Sequence, residues 1–320
     1  MKKKISRILS ITLPLLLGVF LIIYYYNKFT EKQLQEIYGH IKSADYTYIA
    51  ISLFIAMTGY LSRAWRWRYT LRHIGYEAPF ITSLFAIGTS YLLNLTIPRS
   101  GEVSRAIVLK KYSGVPFDKG FGTIISERII DLILMVICVS GAMILQFETL
   151  KDYISEEIPL KLLLFYGIIA GILFISAVLF FIYSKLPIVQ KIKIKVSGLI
   201  EGTLSVFKMP NKWPFILHSI YIWVSYVAMF YITIYALPET AQMSFEAVST
   251  AFVIGSLVIA FSNGGFGTYP FAISAILQLY NIPEASGTAF GWIVWASQIA
   301  FIFLLGGLSF LLLPLTHKKK

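Results

Sequence analysis

The stretch FITSLFAIGTSYLLNLTIPRSGEVSR, residues 80–105, decides how the chain is read. Its first part is apolar enough to enter a membrane, and Pro98, which has no backbone N–H to give, ends that helix. Gly101 permits the turn into a shorter segment, 102–112. If residues 80–98 crossed a bilayer alone, Arg99, Arg105, Lys110, Lys111 and Lys119 would land outside, against the tendency of Lys and Arg to remain in the cytoplasm. A re-entrant hairpin, spanning 79–112 and returning to its starting side, removes the conflict. A second apolar run, 245–262, leads into Asn263, Gly264, Gly265 and Gly267 and then a short segment, 268–280, so 245–280 reads as a second hairpin.

Around these hairpins the chain is apolar throughout. Hydrophobic residues make up 57% and charged residues 14% of the 320 residues, against roughly 45–50% and 25% in a soluble domain. Six segments, 8–26, 46–62, 120–147, 162–183, 213–237 and 287–313, approach the roughly 17–25 residues that span a bilayer. The expected fold is an all-α polytopic membrane protein, six full spans plus two inverted re-entrant hairpins, in one membrane-embedded domain over 1–320. The first apolar run follows a basic start and ends in Tyr24, Tyr25 and Tyr26 without a small-residue cleavage site, so it is expected to stay attached as an anchor.

On this topology 22 of the 28 Lys and Arg residues face the cytoplasm, 5 lie outside, and Arg128 falls near or within the membrane. Both termini are then cytoplasmic and the protein belongs in the cytoplasmic membrane. The net charge of +12 therefore reads as topology and not as a nucleic-acid surface. One hairpin enters from the cytoplasm and the other from outside, which is inverted symmetry. The segments FAIGTS at 85–90 and FVIGSL at 252–257 share an offset of 167, as do VPFDKG at 115–120 and IPEASG at 282–287. Inverted repeats carrying broken helices are a transporter signature, because non-helical backbone at membrane depth is tolerated only beside protein or a watery cavity.

Three constellations could carry chemistry. At the first hairpin, Asn94, Arg99, Glu102 and Arg105 surround a helix start whose free N–H groups and nearby positive charge suit a phosphate. Glu102 there is spaced to pair with Arg105 at i+3. In SERIID, Glu127, Arg128 and Asp131 share one helix face, and this group reads either as a site inside the bundle or as an interfacial ion-pair anchor. The run RAWRWR, with Arg72, reads as an interfacial belt, Trp65 and Trp67 at headgroup level and Arg63, Arg66 and Arg68 on anionic lipid. The basic connection at 185–195 reads as a further membrane contact. The second break holds the neutral Asn263 in place of charge. Cys138 sits alone in an apolar stretch and His40, His73, His218 and His317 are scattered, so neither a disulfide nor a metal site is expected, and no nucleotide-binding loop is present.

On Arg66 and Trp67, the series Asn94, Pro98, Arg99, Gly101, Glu102 and Arg105, and the group Glu127, Arg128 and Asp131, the chain resembles the membrane region of lysylphosphatidylglycerol synthase/flippase proteins and their stand-alone relatives. The resemblance covers nearly the whole chain. It implies translocation of a lipid head group between leaflets. The expected activity is transport without catalysis or a cofactor, with Asn94, Arg99, Glu102, Arg105, Glu127, Arg128, Asp131 and Asn263 as the substrate-binding residues, Arg99, Arg105 and the hairpin's helix start holding phosphate and Asn94 and Asn263 lining the crossing point. Synthesis of an aminoacylated lipid is not expected, because no soluble transferase domain follows the last span. In the family's second turn a Glu often follows the glycines, whereas Thr268, Tyr269 and Pro270 stand here. The expected partners are membrane lipids with phosphate head groups, and a homo-oligomer or an envelope-synthesis enzyme is compatible with the sequence. An intramembrane lipid-modifying enzyme using Glu102, Glu127 or Asp131, or a non-transporting subunit, are the rival readings.

The topology has a direct test. Cysteines placed at Ser155 and Pro283 are expected to react with an impermeant thiol reagent added from outside, and cysteines at Ser113 and Lys319 are not; reaction at Ser113 would overturn the first hairpin.

Overall fold

The computed structural model describes residues 2–97, 100–146, 160–190, 193, 208–262 and 264–316. Among these residues every regular element is helical. The chain runs through α1 (Lys2–Lys28), α2 (Glu31–Ser43), α3 (Tyr46–His73), α4 (Phe80–Thr96), α5 (Gly101–Ser113), α6 (Phe117–Leu145), α7 (Leu160–Tyr183) and α8 (Lys212–Thr233). A short 3-10 turn, Ile234–Ala236, leads to α9 (Pro238–Ala241), α10 (Phe245–Phe261), α11 (Tyr269–Gln278) and α12 (Glu284–Thr316). Residues 191, 192, 194 and 195 of the basic connection at 185–195, and all of 147–159, lie outside the described residues.

Three helices among the described residues are long and apolar enough to cross a membrane: α6, α8 with its 3-10 extension, and α12, with mean hydropathies of 2.3, 1.7 and 2.3. The partition of side chains is that of a membrane protein. Leu132, Ile133, Val136 and Ile137 of α6 and Phe310 and Leu311 of α12 point outward, whereas Arg66 and Arg105 are among the largest fully buried side chains. A protein folding in water would reverse that arrangement, and a bilayer favours it.

Local sequence explains where the helices start and stop. Thr30 and Gln33 form a capping box at the head of α2, Asp45 accepts the Thr47 N–H at the head of α3, and Ser244 accepts the Ala247 N–H at the head of α10. Gly114, at φ +68°, closes α5, and Pro116 precedes α6. The 28 residues of α3 make a rod of about 42 Å, so it continues well past the expected end at Ser62. The RAWRWR run is therefore helix, with Arg63, Arg66, Trp67 and Thr70 buried on one side and Trp65 and Arg72 exposed on the other.

Small residues let the helices close on one another. α3 packs along α8, where the Ser225 side chain fills the space beside Gly59 and Ser52 Oγ donates to the Met229 carbonyl at 3.0 Å. α4 packs along α12, where Gly88 faces Ser309 and Tyr60, and Gly306 faces Leu92. α11 lies against α12, with Gly291 on the Pro270 backbone.

Both sequence breaks interrupt the helical run. At the first, α5 returns along α4, and Gly101 sits so close to it that a Cβ there would strike Asn94 and the Ser90 carbonyl. At the second, Gly264, Gly265 and Gly267 adopt φ of +65°, +78° and +69°. Ser262 Oγ accepts the Gly265 N–H at 2.9 Å, and Trp295 of α12 donates to the Gly264 carbonyl at 2.9 Å. Gly267 rests on the backbone of Gly18 in α1. The starts of α3, α4, α5 and α6 at Tyr46, Phe80, Gly101 and Phe117, displaced by the same 167 residues, fall within two residues of the starts of α8, α10, α11 and α12 at Lys212, Phe245, Tyr269 and Glu284.

Gly267→Ala places a Cβ into the Gly18 backbone and forces an L-residue into the left-handed region, which alone costs about 1–2 kcal/mol. Gly122→Ala in α6 meets nothing and gains roughly 1 kcal/mol of helix propensity. Thermal unfolding in detergent should therefore show a clear loss for Gly267→Ala and none for Gly122→Ala; equal midpoints would show that the second break does not depend on α1.

Candidate functional site

Three helices bring seven acidic and basic side chains together. α3 supplies Arg63 and Arg66 one turn apart, α5 supplies Glu102 and Arg105, and α6 supplies Glu127, Arg128 and Asp131 on one face. α8 closes the group with Phe215, Ser219 and Tyr226.

Asp131 lies at the centre. Arg66 grips it in bidentate fashion, Nη1 to Oδ1 at 2.6 Å and Nη2 to Oδ2 at 3.2 Å, and Arg63 Nη1 donates to Oδ2 at 3.1 Å. Arg66 Nη1 also donates to Ser219 Oγ at 3.1 Å, and Arg63 Nη2 to the Tyr226 hydroxyl at 2.7 Å. Glu127 is the second acidic centre, with Arg105 Nη2 at 2.9 Å and Arg66 Nη2 at 3.6 Å from its Oε2. These are ion pairs without hydrogen-bond geometry, since neither Glu127 oxygen accepts a hydrogen bond among the described residues. The Arg105 guanidinium stacks over Trp67 at 3.6 Å, and the Trp67 indole donates to Thr123 at 2.9 Å.

The network has a closed interior and a rim. Arg63, Arg66 and Arg105 are 3%, 0% and 2% exposed, and Glu127 and Asp131 are 1% and 8% exposed. Among the described residues, three buried guanidiniums thus face two buried carboxylates, leaving one positive charge in excess. The Nε groups of all three arginines have no hydrogen-bond partner among the described residues. At the rim Arg128 pairs with Glu102 at 3.2 Å and reaches Asp131 at 3.5 Å; this neutral pair is partly open, with side-chain exposures of 38% and 24%. An interior with surplus positive charge and spare donors can hold an anion, because removing one member of such a buried pair costs about 3–5 kcal/mol and a ligand that balances the surplus recovers part of the burial cost.

The expected residues fall into three groups. Arg105, Glu127, Arg128, Asp131 and Glu102 are brought together, but Glu102 pairs with Arg128 and not with Arg105, because α5 turns Arg105 inward onto Trp67 and Glu127. Asn94 pins the first break, its Oδ1 accepting the Gly101 N–H at 2.7 Å. Arg99 and Asn263 lie outside the described residues. The interfacial reading of RAWRWR fails for Arg63, Arg66 and Trp67, which are buried in the network, whereas Trp65 is exposed with the Arg68 guanidinium 4.5 Å over its indole. A helix continued past Ser62 puts 59, 60, 63, 66, 67 and 70 on one stripe and 65, 68 and 72 on the other, and this was the signal available for them. Ser219 and Tyr226 carried none. Among the described residues no group of His, Cys, Asp and Glu could hold a metal ion.

This geometry sits in a chain with recognisable relatives. It is 27% identical over 233 residues to a UPF0104 membrane protein of Methanocaldococcus jannaschii, a match covering 68% of this chain and 92% of that one. It is 34% identical over 101 residues to the glycosyltransferase AglD of Haloferax volcanii, covering 31% of this chain but only 16% of that much longer protein. No solved structure matches. The profile described as the lysylphosphatidylglycerol synthase TM region matches residues 8–306, and on that extent the chain belongs to this family.

Proposed function

We propose that the protein moves a phosphate-bearing lipid head group between the leaflets of the cytoplasmic membrane, the buried arginine network holding the phosphate. The observation that carries the reading is the surplus of one positive charge among Arg63, Arg66, Arg105, Glu127 and Asp131, inside a bundle whose outer surface is apolar. A charge left uncompensated at such depth is costly unless a ligand meets it, and a phosphodiester brings one negative charge. The rim pair Arg128–Glu102 is the entry, since it is the open part of the network and adjoins the start of α5.

In this reading the chain has six full spans and two re-entrant hairpins, α4–α5 and α10–α11, of inverted orientation, with both termini cytoplasmic. The matching helix starts at an offset of 167 support it, as does the distribution of Lys and Arg. The two breaks then approach each other from opposite sides and offer a head group backbone polar groups in place of hydrocarbon, where each unpaired polar group costs several kcal/mol. In this reading the protein acts without catalysis: Asp131 is held by Arg63 and Arg66, and Glu127 lies against Arg66 and Arg105, so both carboxylates are engaged in ion pairs inside the bundle.

Arg66→Ala and Arg105→Ala each remove one buried charge-assisted contact worth about 1.5–3 kcal/mol, so lipid exchange between liposome leaflets should slow about ten- to hundredfold. Arg72→Ala, at an exposed ion pair with Glu77, should leave the rate unchanged. Arg63 belongs with the first set, since it is buried on Asp131. Thermal midpoints and insertion yields of all variants are to be matched first. Exchange at the unmodified rate in folded Arg66→Ala and Arg105→Ala proteins would refute the proposal.

A further inference from the structure

An apolar groove of about 540 Å³ runs between α6, α8 and the start of α10. Leu134, Ile137 and Cys138 of α6, Ile220, Trp223 and Tyr231 of α8, and Phe245 at the start of α10 line it. Ile137, Ile220 and Phe245 are 59%, 44% and 54% exposed, so the groove opens sideways onto the apolar surface of the bundle.

Several of its lining residues adjoin the arginine network. Leu134 stands one helical turn beyond Asp131, and Ile220 follows Ser219, which accepts from Arg66. Trp223 packs edge-on against Tyr226 at 6.0 Å, and the Tyr226 hydroxyl accepts from Arg63. From Ile220 to Tyr231 the α8 wall rises about 16 Å, close to half of the roughly 30 Å hydrocarbon core and hence to the depth of one leaflet.

We propose that this groove seats one acyl chain of a phosphodiester lipid from the leaflet nearer the network, whose head group meets the arginines. The lipid thus enters laterally between α6 and α8, and the groove selects a lipid with a phosphate directly above an extended chain. Two features together carry the assignment: a surplus positive charge at one end, which calls for an anion, and an open apolar channel of leaflet depth leading from it. Any exposed face of a membrane protein touches lipid; this one joins a charge-complementary head-group site to its chain site. The inference rests on the proposed function for the role of the network, and its test separates the two.

The experiment uses the full chain in maltoside micelles, which contain no phosphate, with trace phosphatidylglycerol carrying a diazirine in one acyl chain and, in parallel, diacylglycerol carrying the same diazirine. Photo-crosslinks are mapped by mass spectrometry to the groove around Leu134 and Cys138 and to the exposed α12 surface at Phe310 and Leu311. The groove-to-α12 ratio should be at least threefold higher for phosphatidylglycerol than for diacylglycerol. Arg66→Ala should erase that excess. Val224→Trp, which fills the groove from an exposed position away from the ion pairs, should erase it with the thermal midpoint kept. Equal ratios for the two probes, or an excess that survives in folded Val224→Trp, overturn the groove assignment. If the ratios are equal while leaflet exchange persists, the groove falls and the transport reading stands. If the excess is found while leaflet exchange is absent, the groove stands and the transport reading falls.

Discussion

Three guanidiniums and two carboxylates buried together among helices, with apolar side chains on the outside, set the terms for the rest of this structure. Burying an ion without partners costs several kcal/mol even after relaxation, so each member must be delivered to its place to within a hydrogen bond. α3 is therefore continued as a single rod to His73, carrying Arg63 and Arg66 to Asp131 and Trp67 to Arg105. α5 must turn back along α4 to bring Arg105 to Glu127, and α8 must lie close enough for Ser219 to accept from Arg66 and Tyr226 from Arg63. The short break before α5 follows from this requirement, and so does the contact of Gly59 with Ser225 that brings α3 against α8.

The two breaks meet different needs with different chemistry. The first is pinned by a side chain, Asn94 on the Gly101 N–H, and leads at once into the charged helix α5. The second is held by backbone conformation, three glycines at positive φ fastened by Ser262 and Trp295 and backed by Gly18. Matched helix starts surround both breaks, yet the network lies beside the first alone. That asymmetry follows from where the arginines fall on α3 and α5.

Much of this was legible in the sequence. Composition announced an all-helical membrane protein, Pro98 and the glycines marked the breaks, and the Glu127, Arg128, Asp131 spacing placed a charged face inside a long apolar helix. The misreading of RAWRWR has a physical cause. Alternating tryptophans and arginines at the end of an apolar run satisfy an interfacial belt and a buried network equally well, and the two differ only in whether the helix continues and which face it turns inward. Trp65 is exposed and Arg68 half-buried, while Arg63, Arg66 and Trp67, one or two positions away, are buried. The Glu102 pairing was missed for a related reason: the i+3 partner Arg105 is adjacent in sequence, but burial of its guanidinium on Trp67 leaves Glu102 to Arg128. Ser219 and Tyr226, polar residues on an apolar helix, acquire their role only from the packing of α8 on α3.

The account depends on the network being one negative charge short, and that can be altered without breaking any ion pair. Ser219 is 1% exposed and its Oγ lies 3.1 Å from Arg66 Nη1, so Ser219→Asp places a carboxylate where the surplus charge is. Lipid exchange between liposome leaflets, measured beside the thermal midpoint, separates fold from function in this variant. If the surplus holds the lipid phosphate, Ser219→Asp keeps or raises the midpoint while exchange falls at least about tenfold, the loss of roughly 1.4 kcal/mol of affinity or more. Exchange at the unmodified rate in a folded Ser219→Asp protein would contradict the account.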